Sequence, residues 1–483
     1  MKNISAPGQQ EIKKGQHKIK KGQQEKKKEK LRKATRFIGT TRLVALGFAL
    51  VILTGAILLM LPISSASGQW TSFINALFTS TTSVCVTGLV TVTTATHWSL
   101  FGHIIILILI QLGGLGVICC GMAILMLIGR HMGLKERMLI KESYGLSENI
   151  DIRRILKGTF IIEGIGSILL GIRFVPRYGM IKGVWYSVFH SVSAFCNAGL
   201  DIIGEDSLCG YKTDPLVSIT ICGLIALGGL GFIVWWDVHR VLKNAVKERI
   251  YKNMIFSKLT LHSKVAITMT LVLIFTGTFT FYIVESRNPA TMGNESIVGK
   301  ILMSIFQSIT PRTAGYFTMS QEGMRDASYI ITVVLMLIGG SPMGTAGGFK
   351  TTTVAMIIAC AISVIKGKRE TEMFHRRVAV ENLRAGITVI TISSMVLLGT
   401  VVLMTIIEPF SIRAIVFEEV SAIATVGLGY GITPYLSVAG KLILISLMYI
   451  GRIGPITIGM ALGAKKSKVL DSTKLAEKKI IVG

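Results

Sequence analysis

Four segments of the chain carry one arrangement of small and polar residues. They are FTSTTSVCVTGL (Phe78–Leu89), FHSVSAFCNAGL (Phe189–Leu200), IFQSITPRTAGY (Ile305–Tyr316) and FEEVSAIATVGL (Phe417–Leu428). Each opens on a large apolar residue ten positions before a glycine, and each glycine is followed by a large apolar or aromatic residue. The glycines are Gly88, Gly199, Gly315 and Gly427, spaced by 111, 116 and 112 residues. The chemistry open to such residues is coordination by the backbone. Glycine permits angles that aim successive carbonyl oxygens at a common axis. A ring of carbonyls can replace the hydration shell of an alkali cation. No carboxylate stands beside the four glycines, which favours a monovalent cation over calcium.

A single such glycine in a membrane protein usually marks close helix packing. Four at a regular period point instead to four copies of one unit. The flanks repeat too. An apolar run precedes each motif: Arg42–Ile63, Leu156–Phe174, Val265–Val284 and Ile387–Ile407. A second run follows each, and inside it lies a further landmark: LGGLG from Leu112, LGGLG from Leu227, IGG from Ile338 and IGRIG from Ile450. The first glycines of these landmarks, Gly113, Gly228, Gly339 and Gly451, lie 25, 29, 24 and 24 residues beyond the motif glycines. Each unit therefore reads as span, short amphipathic piece, glycine motif, span. The middle piece is too short to cross a bilayer. Non-helical backbone at that depth is tolerated only where it lines a watery cavity or is buried in protein. A re-entrant pore loop meets that condition, with the negative end of its helix dipole turned towards the cavity.

Composition agrees with a polytopic membrane protein. Of the 483 residues 51% are hydrophobic and 16% charged, and the mean hydropathy is +0.61. Arg42–Ile63, Phe101–Ile128, Leu216–Trp236, Val265–Val284 and Ile387–Ile407 are the clearest runs at or above the roughly 20 residues of a spanning helix. The net charge of +26 is uneven. Arg130–Lys157 holds seven Lys/Arg against four Asp/Glu, Arg240–Lys264 seven against one, and Lys366–Arg384 six against three. Basic connections lie in the cytoplasm, which places both termini there and sends the loops in from outside. Arg173, Arg177 and Lys182 run against that assignment. The segment Met1–Arg42 is too polar to bury a core and is expected to be a disordered tail. It reads as lying beside an anionic leaflet rather than on nucleic acid, and as no signal peptide. Seven cysteines without a CxxC pair argue against a disulfide framework or a zinc site.

Ser328–Ile365 is longer than one crossing requires, and its middle, GGSPMGTAGGFKTTT (Gly339–Thr353), holds five glycines, a proline and a lysine. Proline and clustered glycine break a helix. Two half-helices joined by an insert at membrane depth are expected, set to block a path below the glycine motifs. The candidate gate residues are Gly339, Gly340, Ser341, Pro342, Gly344, Gly347, Gly348 and Lys350, together with Arg452. A charge such as Arg452 inside an apolar run is expensive and functional by default, and its guanidinium is expected to hydrogen-bond the 339–353 loop. Glu163 is expected to meet a buried backbone donor or a Lys/Arg. Glu418 and Glu419 either bond the motif backbone or face an outer vestibule. His190 reads as a satisfied buried histidine. GGFKTTT is no Walker loop, because Phe349 stands where glycine is needed before the lysine. No HExxH, GxSxG or paired-carboxylate site occurs, so an enzyme is not expected.

The four motifs, the Gly339–Thr353 stretch and Arg452 resemble the Trk/Ktr/HKT superfamily of potassium transporters, with the bacterial Ktr membrane subunit nearest. The resemblance runs from Arg42 to about Gly463. It implies an all-α membrane protein of four pseudo-symmetric helix–pore loop–helix repeats, eight transmembrane helices around one ion pathway. It implies a selectivity filter at Val86, Thr87 and Gly88; Asn197, Ala198 and Gly199; Thr313, Ala314 and Gly315; and Thr425, Val426 and Gly427. Potassium would bind there, with sodium left open; serine at the first glycine accompanies sodium preference in some plant members. It also implies that 339–353 is the gate, that the subunit forms a homodimer, and that a cytoplasmic RCK (KTN) ring binding ATP and ADP regulates it. No cofactor is expected in this chain.

The chain accordingly divides into a basic tail (1–41), repeats at 42–130, 131–240, 241–366 and 367–463, and a C-terminal cytoplasmic tail (464–483). The function expected is potassium uptake across a bacterial plasma membrane, possible sodium dependence included. The alternatives are a Trk-type or sodium-translocating relative, or an alternating-access cation carrier, although carriers commonly show two inverted halves.

Overall fold

The apolar runs fold as helices in the computed structural model of the protein, which describes residues 40–116, 152–248 and 255–454. The N-terminal tail, much of the first basic connection, the end of the Phe101–Ile128 run and the C-terminal tail lie outside the described residues. In chain order the helices are α1 (Thr40–Met60), α2 (Phe73–Cys85), α3 (Leu100–Leu115), α4 (Ile152–Tyr178), α5 (Met180–Phe195), α6 (Pro215–Leu230) and α7 (Phe232–Glu248). There follow α8 (Leu261–Glu285), α9 (Ile297–Ile309), α10 (Asp326–Leu337), α11 (Thr351–Ile365), α12 (Val380–Ile407), α13 (Ile412–Ile423) and α14 (Val438–Ile453). A two-residue hairpin pairs β1 (Glu372–Met373) with β2 (Arg376–Arg377) between α11 and α12.

Apolar side chains fill the core and also cover the outer surface. The long helices turn apolar stripes outward: Leu271, Phe275, Phe279 and Ile283 on α8, and Met395, Leu398, Val402 and Ile406 on α12, are all exposed. Exposed stripes of that size at helical spacing face lipid or a partner. The C-terminal half of α2 is buried and polar. Thr79, Ser80, Thr81, Thr82 and Ser83 of α2 are all buried. Two of the hydroxyls turn back onto the helix, Thr81 to Leu77 and Ser83 to Thr79, which satisfies them without water. Among the described residues α4, α8 and α12 are long and apolar enough to cross a membrane.

Each short helix lies between two longer pieces, and matching contacts recur at three of the four on either side. Ser80, Ser191 and Ser308 donate to the carbonyls of Ile52, Glu163 and Ile274 on the preceding long helix. On the other side a landmark glycine packs against the end of the short helix. A Cβ on Gly113, Gly228 or Gly451 would stand 2.0 Å from the carbonyl oxygen of Val84, Phe195 or Ile423. These are backbone-to-backbone contacts, and only glycine allows them.

One expected run is broken. Leu216–Trp236 was expected as a single span, but α6 ends at Gly231 (φ 89°) and α7 leaves at 95°. A Cβ on Gly231 would meet the Pro342 carbonyl at 2.4 Å, so the bend is where the 339–353 segment seats. Two of the three basic residues on the expected outer side have local partners. Arg173 pairs with Asp214 at 3.0 Å, and Arg177 lies over the Tyr211 ring at 4.7 Å.

Candidate functional site

Val86, Asn197, Thr313 and Thr425 stand two residues before the four glycines. All four adopt left-handed backbone, with φ of 53°, 59°, 67° and 50°. Three of them are β-branched, for which this conformation is a true outlier. The glycines follow at φ 107°, 66°, 78° and 94°. One strained turn has been built four times, and such strain persists only where the surroundings over-determine it. Hydroxyls help to hold it. Gly88 N–H donates to Thr82 Oγ1 (2.9 Å) and Gly427 N–H to Ser421 Oγ (3.0 Å). Ser193 Oγ donates to the Leu200 carbonyl (2.8 Å), and Thr310 Oγ1 to that of Tyr316.

The four turns meet. A Cβ on Gly88 would lie 2.7 Å from the Ala198 carbonyl oxygen, and one on Gly199 2.5 Å from that of Ala314. On Gly315 it would lie 2.9 Å from Val426 O, and on Gly427 2.1 Å from Thr87 O. The cycle closes: each glycine abuts the carbonyl of another segment, and all four segments take part. Every one of the twelve filter residues singled out in the sequence belongs to this ring or its strained approach. The short helices α2, α5, α9 and α13 all end at it, so their partly negative C-termini converge there. Thr87 Oγ1 and Thr425 Oγ1 are buried with no protein partner. A buried hydroxyl without a partner is costly and is available to a cation.

Directly against the ring lies the irregular segment between α10 and α11. It is pinned at its base, where Gly339 N–H donates to Phe349 O (3.0 Å), Phe349 N–H to Leu337 O (2.9 Å) and Thr351 N–H to Gly340 O (3.0 Å). Ser341 and Thr351 share a hydroxyl bond of 2.8 Å. Its tip docks on the broken end of α6. Ser341 and Thr345 N–H groups donate to Gly229 O and Gly228 O, and Phe232 N–H donates to Met343 O. The last carbonyls of α6, orphaned where the helix stops, are thereby paired. Towards the ring, Thr345 Oγ1 donates to Phe195 O (2.9 Å) and Asn197 Oδ1 (3.1 Å), and Gly347 N–H donates to Thr313 Oγ1 (3.3 Å). A Cβ on Gly347 would stand 1.9 Å from Thr425 Oγ1. Gly340 and Gly344 back onto the Gly229 backbone, and Gly348 (φ 63°) turns the chain towards α11.

Arg452 closes the arrangement. It occupies the position that Gly114 and Gly229 hold in the other landmarks. Its Nη1 donates to Thr345 O and its Nη2 to Gly113 O, each at 2.5 Å. One guanidinium thus joins the loop of the third unit to α3 of the first. Lys350 Nζ donates to Ala346 O (2.8 Å). Lys350, Arg452 and Pro342 line a cavity of about 480 Å³ that the loop shares with α1, α12 and α14.

The remaining candidates fall away from the ring. Glu163 meets neither a backbone donor nor a Lys/Arg: its carboxylate accepts from Gln111 Nε2 at 3.1 and 3.3 Å. Glu418 accepts from the Tyr430 N–H (3.0 Å), just past the fourth glycine, and Glu419 from Thr400 Oγ1 (2.7 Å). His190 Nδ1 bonds the Tyr186 carbonyl (2.7 Å) in an aromatic cluster with Phe174. Sequence reasoning missed Gly228, Gly229 and Gly231 as the dock of the loop. The sequence offered no separate signal, since the first landmark carries the same LGGLG.

The TrkH family model, described as "Cation transport protein", matches residues 15–471. The chain is 37% identical to the potassium/sodium uptake protein NtpJ of Enterococcus hirae, over 94% of this chain and 99% of that one. It is 40% identical to the Ktr system potassium uptake protein B of Bacillus subtilis, over 89% of this chain and 94% of that one. The crystal structure of the potassium transporter TrkH from Vibrio parahaemolyticus superposes with a TM-score of 0.65 at 14% identity, covering 86% of this chain and 84% of that one.

Proposed function

Because the chain belongs to the TrkH cation transport family, we propose that it takes up potassium across the plasma membrane through a filter of four pore loops. The closed cycle of Gly88, Gly199, Gly315 and Gly427 carries this reading. A potassium ion at its centre exchanges water for the carbonyls of Thr87, Ala198, Ala314 and Val426, steadied by the C-terminal ends of α2, α5, α9 and α13. Four re-entrant units in eight spans supply the loops. Both relatives carry potassium uptake in their names, and one adds sodium. Sodium dependence belongs to the same test.

In this reading 339–353 is the gate and Arg452 its latch. The loop obstructs the cytoplasmic side of the ring, and a fixed guanidinium beside it repels cations. Loop and latch would move together when a partner acts. The partner proposed is a cytoplasmic RCK (KTN) ring that binds ATP and ADP, acting on a homodimer of this chain; the basic connections between units offer it surface.

The experiment is potassium and sodium uptake into liposomes that hold this chain alone, for wild type and Gly88→Ser. Potassium-selective uptake that loses its selectivity in the variant is the expected result. Uptake that saturates and ignores Gly88 points to an alternating-access carrier, and the filter is then abandoned.

A further inference from the structure

Three matched positions stand behind the ring, and one of them is ionisable. Ile52, Glu163 and Ile274 each offer a backbone carbonyl to a serine of the adjoining short helix. Each lies three residues before a glycine, Gly55, Gly166 or Gly277, on which that serine packs. Two of the three side chains are apolar, as the bilayer interior would have them. The third is a buried carboxyl.

Its neighbours come from different units. Gln111 reaches it from α3, as described. Cys196, the residue that caps α5, points its thiol at Gln111 Oε1 (3.6 Å) and Glu163 Oε1 (3.9 Å). Gly114 lies against the same sulfur, since a Cβ there would stand 2.5 Å from it. The residues that match Gln111 in the other landmarks are Ala226, Leu337 and Tyr449, so no second Gln–Glu link of this kind can form. Asn197 follows Cys196 and begins the second strained turn. Its side chain reaches Thr313 Oγ1 (3.5 Å) and accepts from Thr345 Oγ1. A displacement of Cys196 therefore reaches the second filter segment, the third, and the loop.

A carboxyl at this depth is costly unless hydrogen-bonded. A satisfied polar network in a low dielectric holds its members in one arrangement. Apolar side chains, Ile52 and Ile274, stand at the two matched positions. We propose that Glu163 is a positioning residue: through Gln111 and Cys196 it fixes the segment Asn197–Gly199 against the first unit and so sets cation selectivity without touching the ion. The proposal rests on the filter reading given above.

The test is the potassium-to-sodium permeability ratio in liposomes holding the full chain, for wild type, Glu163→Leu, Glu163→Gln, Gln111→Leu, the Glu163→Leu/Gln111→Leu pair and Gly199→Ser. Glu163→Leu and Gln111→Leu should each lower the ratio roughly three- to tenfold, the scale of one hydrogen bond. The pair should lower it little further, because both act through one contact. Glu163→Gln, which keeps an oxygen to accept from Gln111, should stay near wild type. The Glu163→Leu/Gln111→Leu pair leaves neither partner unpaired in the core and carries the test if a single variant does not assemble. An unchanged ratio in the single variants overturns the proposal, and so does a fall in Glu163→Gln as deep as in Glu163→Leu. Gly199→Ser separates the two ideas. If it alters the ratio while Glu163 and Gln111 variants do not, positioning fails and the filter stands; if it too leaves the ratio unchanged, the filter itself fails.

Discussion

A glycine is required at each of the four ring positions for two separate reasons, and Gly427 is the sharpest case. Its backbone is left-handed at φ 94°, a conformation that side chains rarely adopt. A Cβ there would also stand 2.1 Å from Thr87 O and 2.8 Å from the Gly88 Cα. Neither neighbour is a side chain that could swing aside. Gly427→Ala should therefore open the ring rather than merely crowd it. Overpacking by a methyl costs about 1–3 kcal/mol, so potassium flux should fall about tenfold or more. Gly399→Ala, at a glycine with nothing within 4 Å, should leave flux near wild type. Equal flux in the two variants would mean that the ring is not on the ion's path. These demands could be read from the recurrence of glycine alone. The identity of the abutting carbonyl could not, because each glycine meets a segment of another unit, Gly427 reaching back to Thr87 in the first.

The segment 339–353 and α14 are joined at Arg452. The guanidinium holds Thr345 O and Gly113 O, and hydrogen bonds to a charged group contribute about 1.5–3 kcal/mol each. Arg452→Ala removes both, so uptake in the absence of any partner should rise at least about tenfold. Thr345→Val removes the bonds to Phe195 O and Asn197 Oδ1 and should raise it less. Uptake unchanged in both variants would leave the loop a structural insert. That this segment breaks a helix was legible, since Pro342 stands among five glycines. Its dock on Gly228, Gly229 and Gly231 was not. A broken helix end advertises free carbonyls only once the break is known, and the run from Leu216 to Trp236 is apolar throughout its length apart from Ser218 and Thr220.

In the whole molecule the ring is where all four units meet, beyond the helix contacts that join them in pairs. A cation that binds only the assembled ring stabilises the assembly by mass action. Thermal unfolding of the detergent-solubilised chain should therefore shift upward by about 2–5 °C when potassium replaces a large organic cation, as linkage at well above the dissociation constant predicts. The shift should vanish in Gly427→Ala. An equal shift in that variant would place the stabilising ion elsewhere. The outward stripes on α8 and α12 set the other boundary condition: with them facing lipid, the polar ring is the part of the structure that water and ions must find from the two faces.

The amino-acid sequence by itself determined that the apolar runs are helical, though not the break within Leu216–Trp236, and it singled out the four motifs and the landmark glycines. Apolar length, helix breakers and recurrence are local properties, and they survive without knowledge of neighbours. It also singled out Arg452, because a charge within an apolar run is conspicuous wherever it points. Tertiary structure alone decided what each group faces. It set the cyclic order in which glycines meet carbonyls and the 95° turn at Gly231. It also gave Glu163 an amide from another unit where a cation or a backbone donor was expected. These depend on contacts between residues tens to hundreds of positions apart, such as Thr345 with Asn197 or Arg452 with Gly113. No local pattern encodes such pairings; they exist only once the units close on one another.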